Sequence, residues 1–430
     1  MNNFELDKIC QAAPPSFGHP ILKYFGFDPK YVNLNNGSYG SVPLPVHAEC
    51  NKITLDVERN PEFHHRFTHY DLQAQVRQHL APLIGAQADE CVIVPNATHG
   101  INTVLRNIEW ENGDIIIDFN TTYGAVSRTA QYLSDRPPHP SISTLTVNFP
   151  GTTHADIISK FRAHVKSVVD SKPPGKRVVA LIDAIVANPG VHLPWQELVK
   201  ICKDADVLSV VDAAHAIGQE LNINLGKAQP DFWVSNCHKW LFSKRGCAVL
   251  YVPKRNQHLI KSSIPTSHSY VSPGNAPTFI QQFDWNGTTD FVPFYSVLPA
   301  LRFREWLGGE DKINSYCHDL AVAGGKRLAE VLGTQVLDPD GSLTLNMVNV
   351  ELPLSGEIKW TPVIKNRFSE KLLKEHNVFA ASFYHSGRWW ARCSAQIYNE
   401  LSDFEVLGRA FLRICPEIQQ EFGVDNAANV

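Results

Sequence analysis

Lys239 stands in the stretch Ser235-Asn236-Cys237-His238-Lys239-Trp240, at the end of an apolar strand pattern, where a buried amine can react. A surface ammonium is strongly hydrated and inert, whereas a lysine drawn out of water has a lowered pKa and can form a Schiff base with an aldehyde. Taken alone, a lysine is more often simply solvated. The residues that accompany Lys239 argue for the reactive role. Val210-Val211-Asp212-Ala213-Ala214-His215 puts an aspartate where a buried strand should end, the edge at which open α/β sheets bind ligands. A carboxylate buried there needs a cationic partner, and a protonated pyridine nitrogen is one; on its own, Asp212 also reads as a helix N-cap.

Three further segments belong to the same constellation. Asn96-Ala97-Thr98-His99-Gly100 precedes a helical pattern whose free N–H groups, with the Thr98 hydroxyl, make an anion site, although a plain N-cap by Asn96 or Thr98 explains it equally well. Tyr123 follows the strand ending at Phe119 and lies at the same edge, either stacked on an aromatic ring or half-buried in the core. Trp389-Trp390-Ala391-Arg392-Cys393-Ser394 carries an arginine inside an apolar strand, a place for a substrate carboxylate or a structural ion pair. The polar turn from Leu34 to Gly40 brings Asn36 to the site or is a surface turn. A reactive lysine, a buried aspartate and a phosphate-type helix start together describe a site for pyridoxal 5'-phosphate, whose ring is an electron sink for a carbanion.

A chain of 430 residues, 43% hydrophobic and 19% charged, is an ordinary globular sequence long enough for two domains. Its net charge of -4 gives no electrostatic reason to bind nucleic acid or an anionic membrane, so a small molecule is the expected partner. No apolar run approaches a membrane span, and Met1-Asn2-Asn3-Phe4-Glu5 does not open a signal peptide, so a cytoplasmic location is expected. Nine cysteines without a C-x-x-C pair fit reduced thiols, with no zinc site.

The elements that must position these residues read in chain order. An irregular arm over 1–30 is followed by helices near 44–60 and 70–84. Phe63-His64-His65-Arg66-Phe67 between them is expected to be a solvated loop without a metal, since adjacent histidines face different ways. Seven strand patterns then alternate with helices: 92–94, 114–119, 142–147, 177–183, 207–212, 231–235 and 247–252. Apolar on both faces, they require a mostly parallel sheet with helices on both sides. Helical sequence over 293–333, strands near 344–352, 379–385 and 388–394, and helices at 366–375 and 401–420 form the remainder. The expected domains are the arm 1–30, a large α/β domain 31–295 and a smaller C-terminal α+β domain 296–430.

Taken together, Val211 to His215, Ser235 to Trp240, Trp285-Asn286-Gly287-Thr288 and Arg392 to Asn399 resemble the class V aminotransferase family of pyridoxal-phosphate enzymes. Leu34 to Gly40, Val94 to Arg106, Tyr123-Gly124-Ala125 and Asn188 to Val191 are similar to its isopenicillin N epimerase-like branch, which includes the fungal hercynylcysteine sulfoxide lyases of ergothioneine biosynthesis. The resemblance implies the fold-type I architecture, a seven-stranded sheet with a smaller C-terminal domain. It implies that Lys239 holds the cofactor covalently, Asp212 pairs with the pyridine nitrogen, and His215 lies near the phenolic oxygen. Ala97, Thr98 and His238 would cradle the phosphate, Tyr123 would stack on the ring, and Arg392 would bind the carboxylate of an amino-acid substrate. Thr288 would reach the phosphate of a neighbouring subunit, which implies a homodimer with shared sites. The implied reaction is β-elimination from an S-substituted cysteine, with racemisation, cyclisation or desulfuration as alternatives on the same cofactor, and an inactive scaffold as the alternative that is no enzyme. A desulfurase needs a cysteine on a mobile loop, and none occurs between Cys247 and Cys317. Ala213, in place of the usual glycine, and Cys393, in place of an aliphatic residue, depart from the family pattern.

Overall fold

Seven of the strands that the apolar runs form lie in one sheet. In the computed structural model, which describes residues 5–272 and 277–423, they are β2 (Cys91–Val94), β3 (Ile115–Phe119), β4 (Ser141–Leu145), β5 (Val178–Asp183), β6 (Leu208–Asp212), β7 (Phe232–Asn236) and β8 (Ala248–Tyr251). A short β1 (Val32–Asn33) precedes them in the chain. The spatial order is β2-β8-β7-β6-β5-β3-β4, with β8 antiparallel to both its neighbours and the rest parallel.

Alternation assigns the faces. Cys91 and Ile93 enter one apolar cluster while Val92 and Val94 enter another, and Ala180 and Ile182 are divided in the same way from Val179 and Leu181. Helices cover both faces: Ala97–Asn107 and Gly124–Ser134 pack on the Val92 side, and His154–Ser171 and Trp195–Asp204 on the other. This is why the strands read as unbroken apolar runs.

The C-terminal strands are β9 (Met347–Glu351), β10 (Val378–Phe379), β11 (Ala381–His385) and β12 (Arg388–Ser394). An antiparallel sheet ordered β11-β12-β9 packs on the helices Gly309–Leu332 and Leu401–Phe422, while β10 pairs with β1. The arm forms a short helix, Leu6–Ile9, and a 3-10 turn, His19–Tyr24. Its Leu6, Ile21 and Phe25 are buried against Phe303, Leu307 and Tyr398. All nine cysteines are free, and eight of them are buried. Among the described residues no helix is long and apolar enough to cross a membrane.

The expected loop at Phe63 to Phe67 is helical instead. Asn60 Oδ1 accepts from Phe63 N–H and Pro61 sits at the first helical position, so a new helix starts at once and runs through a π-helical turn, His64–Thr68, into His69–Leu83. His64 is buried against Tyr295, and His65 packs edge-on to Trp285. Aromatic contact outweighs the solvation that a polar reading of these residues assumes.

Candidate active site

Asp183, Asp212 and Asn236 end the three adjacent parallel strands β5, β6 and β7. Asp183 pairs in register with Asp212, and alternation turns both side chains to the face that carries Val179, Leu181 and Val210. Asn236 projects on the same face and accepts from Ala97 N–H at 2.9 Å, which ties the start of the helix Ala97–Asn107 to this edge. Asp183, Asp212, Thr98, Tyr123, His215, His238 and Lys239 line one cavity of about 160 Å³.

The cavity sets unusual protonation. Asp212 is 6% exposed; burial raises its pKa, against the Ala214 N–H bond and the Lys239 charge. Asp183 is 3% exposed and is pushed well above the carboxylate range by burial and by Asp212, while its Oδ2 has no hydrogen-bond partner. Two carboxylates side by side cannot both ionise here until a cation arrives, and the orphaned oxygen marks where polar ligand atoms are missing. The residue patterns did not single out Asp183. The signal was present nonetheless, because 178–183 and 208–212 are adjacent buried strand patterns that both end in aspartate.

Lys239 sits in the one-turn helix Cys237–Trp240 that follows β7. Burial, with Arg392 adding to it, lowers its pKa to about 7. Its Nζ lies 3.0 Å from His215 Nε2. The indole N–H of Trp240 donates to His215 Nδ1 at 3.4 Å, and burial holds the ring neutral, so the ring proton is on Nε2 and points at the Lys239 amine. Behind this turn Arg304, 1% exposed, donates to Trp240 O at 2.8 Å and to Gly218 O at 3.1 Å, a brace that no local pattern announces.

Asn36 is not where the sequence reading put it. It lies in the one-turn helix Asn36–Tyr39, 1% exposed, and its amide donates to Lys239 O at 2.9 Å while its Oδ1 accepts from Tyr398 OH. The turn winds into a helix, which directs Asn36 inward to brace the lysine and leaves Asn35 and Ser38 facing the cavity. At Gly40, φ is +65° and an added Cβ would lie 1.6 Å from His238 O. Gly40→Ala is therefore expected to destabilise the protein by about 3 kcal/mol, read as a lower urea midpoint; an unchanged midpoint would contradict the packing described.

Arg392 occupies the central strand of the small sheet and is 3% exposed. It donates to Ala187 O at 2.6 Å, Asn35 Oδ1 at 3.1 Å and Ser38 Oγ at 2.9 Å, while its Nε is buried and unpaired. Burial lowers its pKa to about 10. Among the described residues no carboxylate pairs with it, so the structural ion pair is absent and an unmatched cation faces a second cavity. That cavity of about 300 Å³ is also lined by Tyr123, His215 and Lys239.

At the opposite end, Ala97 N–H is engaged by Asn236 and His99 N–H by Asn96, which leaves Thr98 as the helix-start residue free to meet an anion. His238 donates from Nδ1 to Cys247 O at 2.9 Å, and burial lowers its pKa to about 4, so its ring is neutral and offers Nε2 to the cavity. Thr288 lies elsewhere, exposed in a surface cleft with His65, Phe67 and Trp285. An acidic pair, a lysine of lowered pKa and a helix start with Thr98 at the cavity fit an aldehyde-bearing pyridinium phosphate at its three functional ends.

A mostly parallel seven-stranded sheet with a lysine and an aspartate at its ligand-binding edge defines the fold-type I class of pyridoxal-phosphate enzymes. Residues 33–355 match the model of the Aminotransferase class-V family, and the chain belongs to that family of pyridoxal-phosphate-dependent enzymes. Among curated proteins it is similar to the L-cysteine desulfhydrase-like protein lolT1 of Epichloe uncinata, 34% identical with 94% of this chain and 96% of that protein covered. It is also similar to the hercynylcysteine sulfoxide lyase of Schizosaccharomyces pombe, 31% identical over 93% and 98% of the two chains. Among solved structures, the cysteine desulfurase of Thermococcus onnurineus NA1 shares the fold with a TM-score of 0.76 at 18% identity, covering 94% of this chain and all of that one.

Proposed function

We propose that this enzyme is a carbon-sulfur lyase that removes the sulfur group of an S-substituted cysteine by β-elimination, with hercynylcysteine sulfoxide as its substrate. The observation that carries the reading is one cavity holding both a buried, carboxylate-free Arg392 and the low-pKa amine of Lys239. The names of the lolT1 and Schizosaccharomyces pombe relatives support sulfur chemistry, and the second supports the sulfoxide. No cysteine lines the cavity among the described residues, which favours elimination over sulfur transfer to a protein thiol.

Lys239, Asp212, His215, Thr98, His238 and Tyr123 would hold the cofactor, with Ala97 contributing the position of the helix start. Pyridoxal phosphate, when bound, supplies an electron sink for the α-carbon. Arg392 grips the substrate carboxylate and orients the α-hydrogen. Lys239 Nζ, its pKa lowered to about 7, would take the α-proton. The Cβ–S bond then breaks with its electron pair on sulfur. Tyr123, which lines both cavities, gives the departing sulfenate its proton. Water hydrolyses the remaining dehydroamino acid to pyruvate and ammonia.

Tyr123→Phe is expected to slow elimination by about 10²-fold while the bound cofactor keeps its absorbance. Loss of cofactor in step with activity would reduce Tyr123 to a stacking role. For the substrate, pyruvate release is expected to be faster from hercynylcysteine sulfoxide than from L-cysteine, and the reverse order would move the assignment to a cysteine desulfhydrase. We also place a second copy of the chain over the Thr288 cleft, which Phe67, 59% exposed, lines and which Phe63, 57% exposed and packed on Phe67, adjoins. Light scattering should give a dimer mass, and a monomer that retains cofactor would exclude a shared site.

A further inference from the structure

The cavity that holds Arg392 continues past the amino-acid end of the site. Its volume of about 300 Å³ is room for roughly ten waters, whereas cysteine adds a single sulfur atom beyond its β-carbon. Two elements with no part in the chemistry above complete its wall. The helix Pro362–Glu370 and its π-helical continuation Lys371–Glu375 present Lys365, Ser369 and Leu372, spaced i, i+4 and i+7 on one face. The chain from β10 into β11 adds Phe379 and Ser382.

The chemistry of this wall is uneven. Leu372 is fully buried behind the wall, and Phe379, half-buried, supplies the apolar surface open to a carbon substituent. Ser369 Oγ is already engaged by Lys365 O, but Ser382 Oγ is buried and has no hydrogen-bond partner. The cavity lining carries three basic side chains, Lys239, Arg392 and Lys365, and no aspartate or glutamate. Lys239 serves the cofactor and Arg392 the α-carboxylate. Lys365, exposed at the mouth, remains as a cation without a counter-charge inside the cavity.

We propose that Lys365 and Ser382 form a distal anion subsite, so that the enzyme selects cysteine S-conjugates whose substituent ends in a carboxylate. The inference rests on the lyase reading in taking the ligand to be an S-substituted cysteine. The apolar wall would hold the carbon chain, the Lys365 ammonium would face the distal carboxylate, and the unpaired Ser382 hydroxyl would donate to it.

Binding can be separated from turnover by titration calorimetry on cofactor-loaded Lys239→Ala protein, with S-(2-carboxyethyl)-L-cysteine and the neutral S-propyl-L-cysteine as probes. Adding Lys365→Gln should weaken the carboxyethyl probe about fivefold, the scale of a solvent-exposed ion pair, and leave the propyl probe within twofold. Lys365→Arg should restore the preference. Ser382→Ala should weaken the carboxyethyl probe selectively as well. Equal loss for both probes, or no loss for either, would overturn the subsite. Wild-type enzyme that releases no pyruvate from either conjugate or from their sulfoxides would count against the lyase reading, while the calorimetric preference would still decide the subsite.

Discussion

Lys239→Ala is expected to abolish turnover, with a fall of about 10⁴-fold or more, and to remove the visible absorption that the wild-type protein shows with its cofactor covalently attached. Borohydride reduction of the wild type should fix the cofactor on the peptide containing Lys239, and in the variant on no peptide. The reason lies in the surroundings of the amine. Burial brings its pKa to about 7, and the proton on His215 Nε2 points toward Nζ from 3.0 Å. A substantial share of the amine is thus unprotonated at neutral pH, where a lysine in water is an ammonium. Alanine leaves the strand end, the Asn36 brace on the backbone and the Arg304 brace on Trp240 in place, since all of them act on main-chain atoms. The folded protein should therefore persist, and a variant that keeps a reducible covalent cofactor would refute the role of Lys239.

Arg392→Lys is expected to lower kcat/KM by about 10²-fold, the equivalent of about 3 kcal/mol, with the loss concentrated in KM and the cofactor absorbance unchanged. Lysine keeps the charge but lacks the planar fork. Two of the guanidinium nitrogens are already committed to Ala187 O, Asn35 Oδ1 and Ser38 Oγ, and these three acceptors fix its plane at the cavity wall. An ammonium cannot satisfy these three acceptors and still present an oriented face to a carboxylate. Release of cofactor, with KM unchanged in the reloaded variant, would assign Arg392 to the cofactor end of the site.

The sheet was legible because strands apolar on both faces leave a simple trace: seven runs were expected and seven strands share one sheet, with boundaries that differ by a residue or two. Lys239, Asp212, Tyr123 and His215 were legible as neighbours because the ends of parallel strands meet at one edge. What escaped depends on contacts between distant segments. Asn36 turned inward because residues 35–39 wind into a helical turn under the His238–Lys239 backbone, a fit that glycine at position 40 permits and that only the tertiary packing reveals. Asp183 shares with Asp212 the signal of a buried strand pattern that ends in aspartate, and the register of β5 on β6 turns that shared ending into a pair. The π-helical turn at His64–Thr68 escaped because its polar letters belong to rings packed on Tyr295 and Trp285, more than two hundred residues away.

Incubation in heavy water separates the reactions open to this site, because proton abstraction by Lys239 is shared by elimination and racemisation and only the fate of the β-substituent differs. The cofactor-loaded enzyme should be given hercynylcysteine sulfoxide and a set of S-substituted cysteines, with pyruvate and ammonia measured enzymatically and recovered substrate examined by proton NMR. The expected result is stoichiometric pyruvate and ammonia from the sulfoxide, with little deuterium in the substrate that remains, since sulfenate departs faster than the α-carbon is reprotonated. Deuterated or inverted substrate with no pyruvate from any of these compounds would contradict carbon-sulfur cleavage and assign the enzyme to epimerisation.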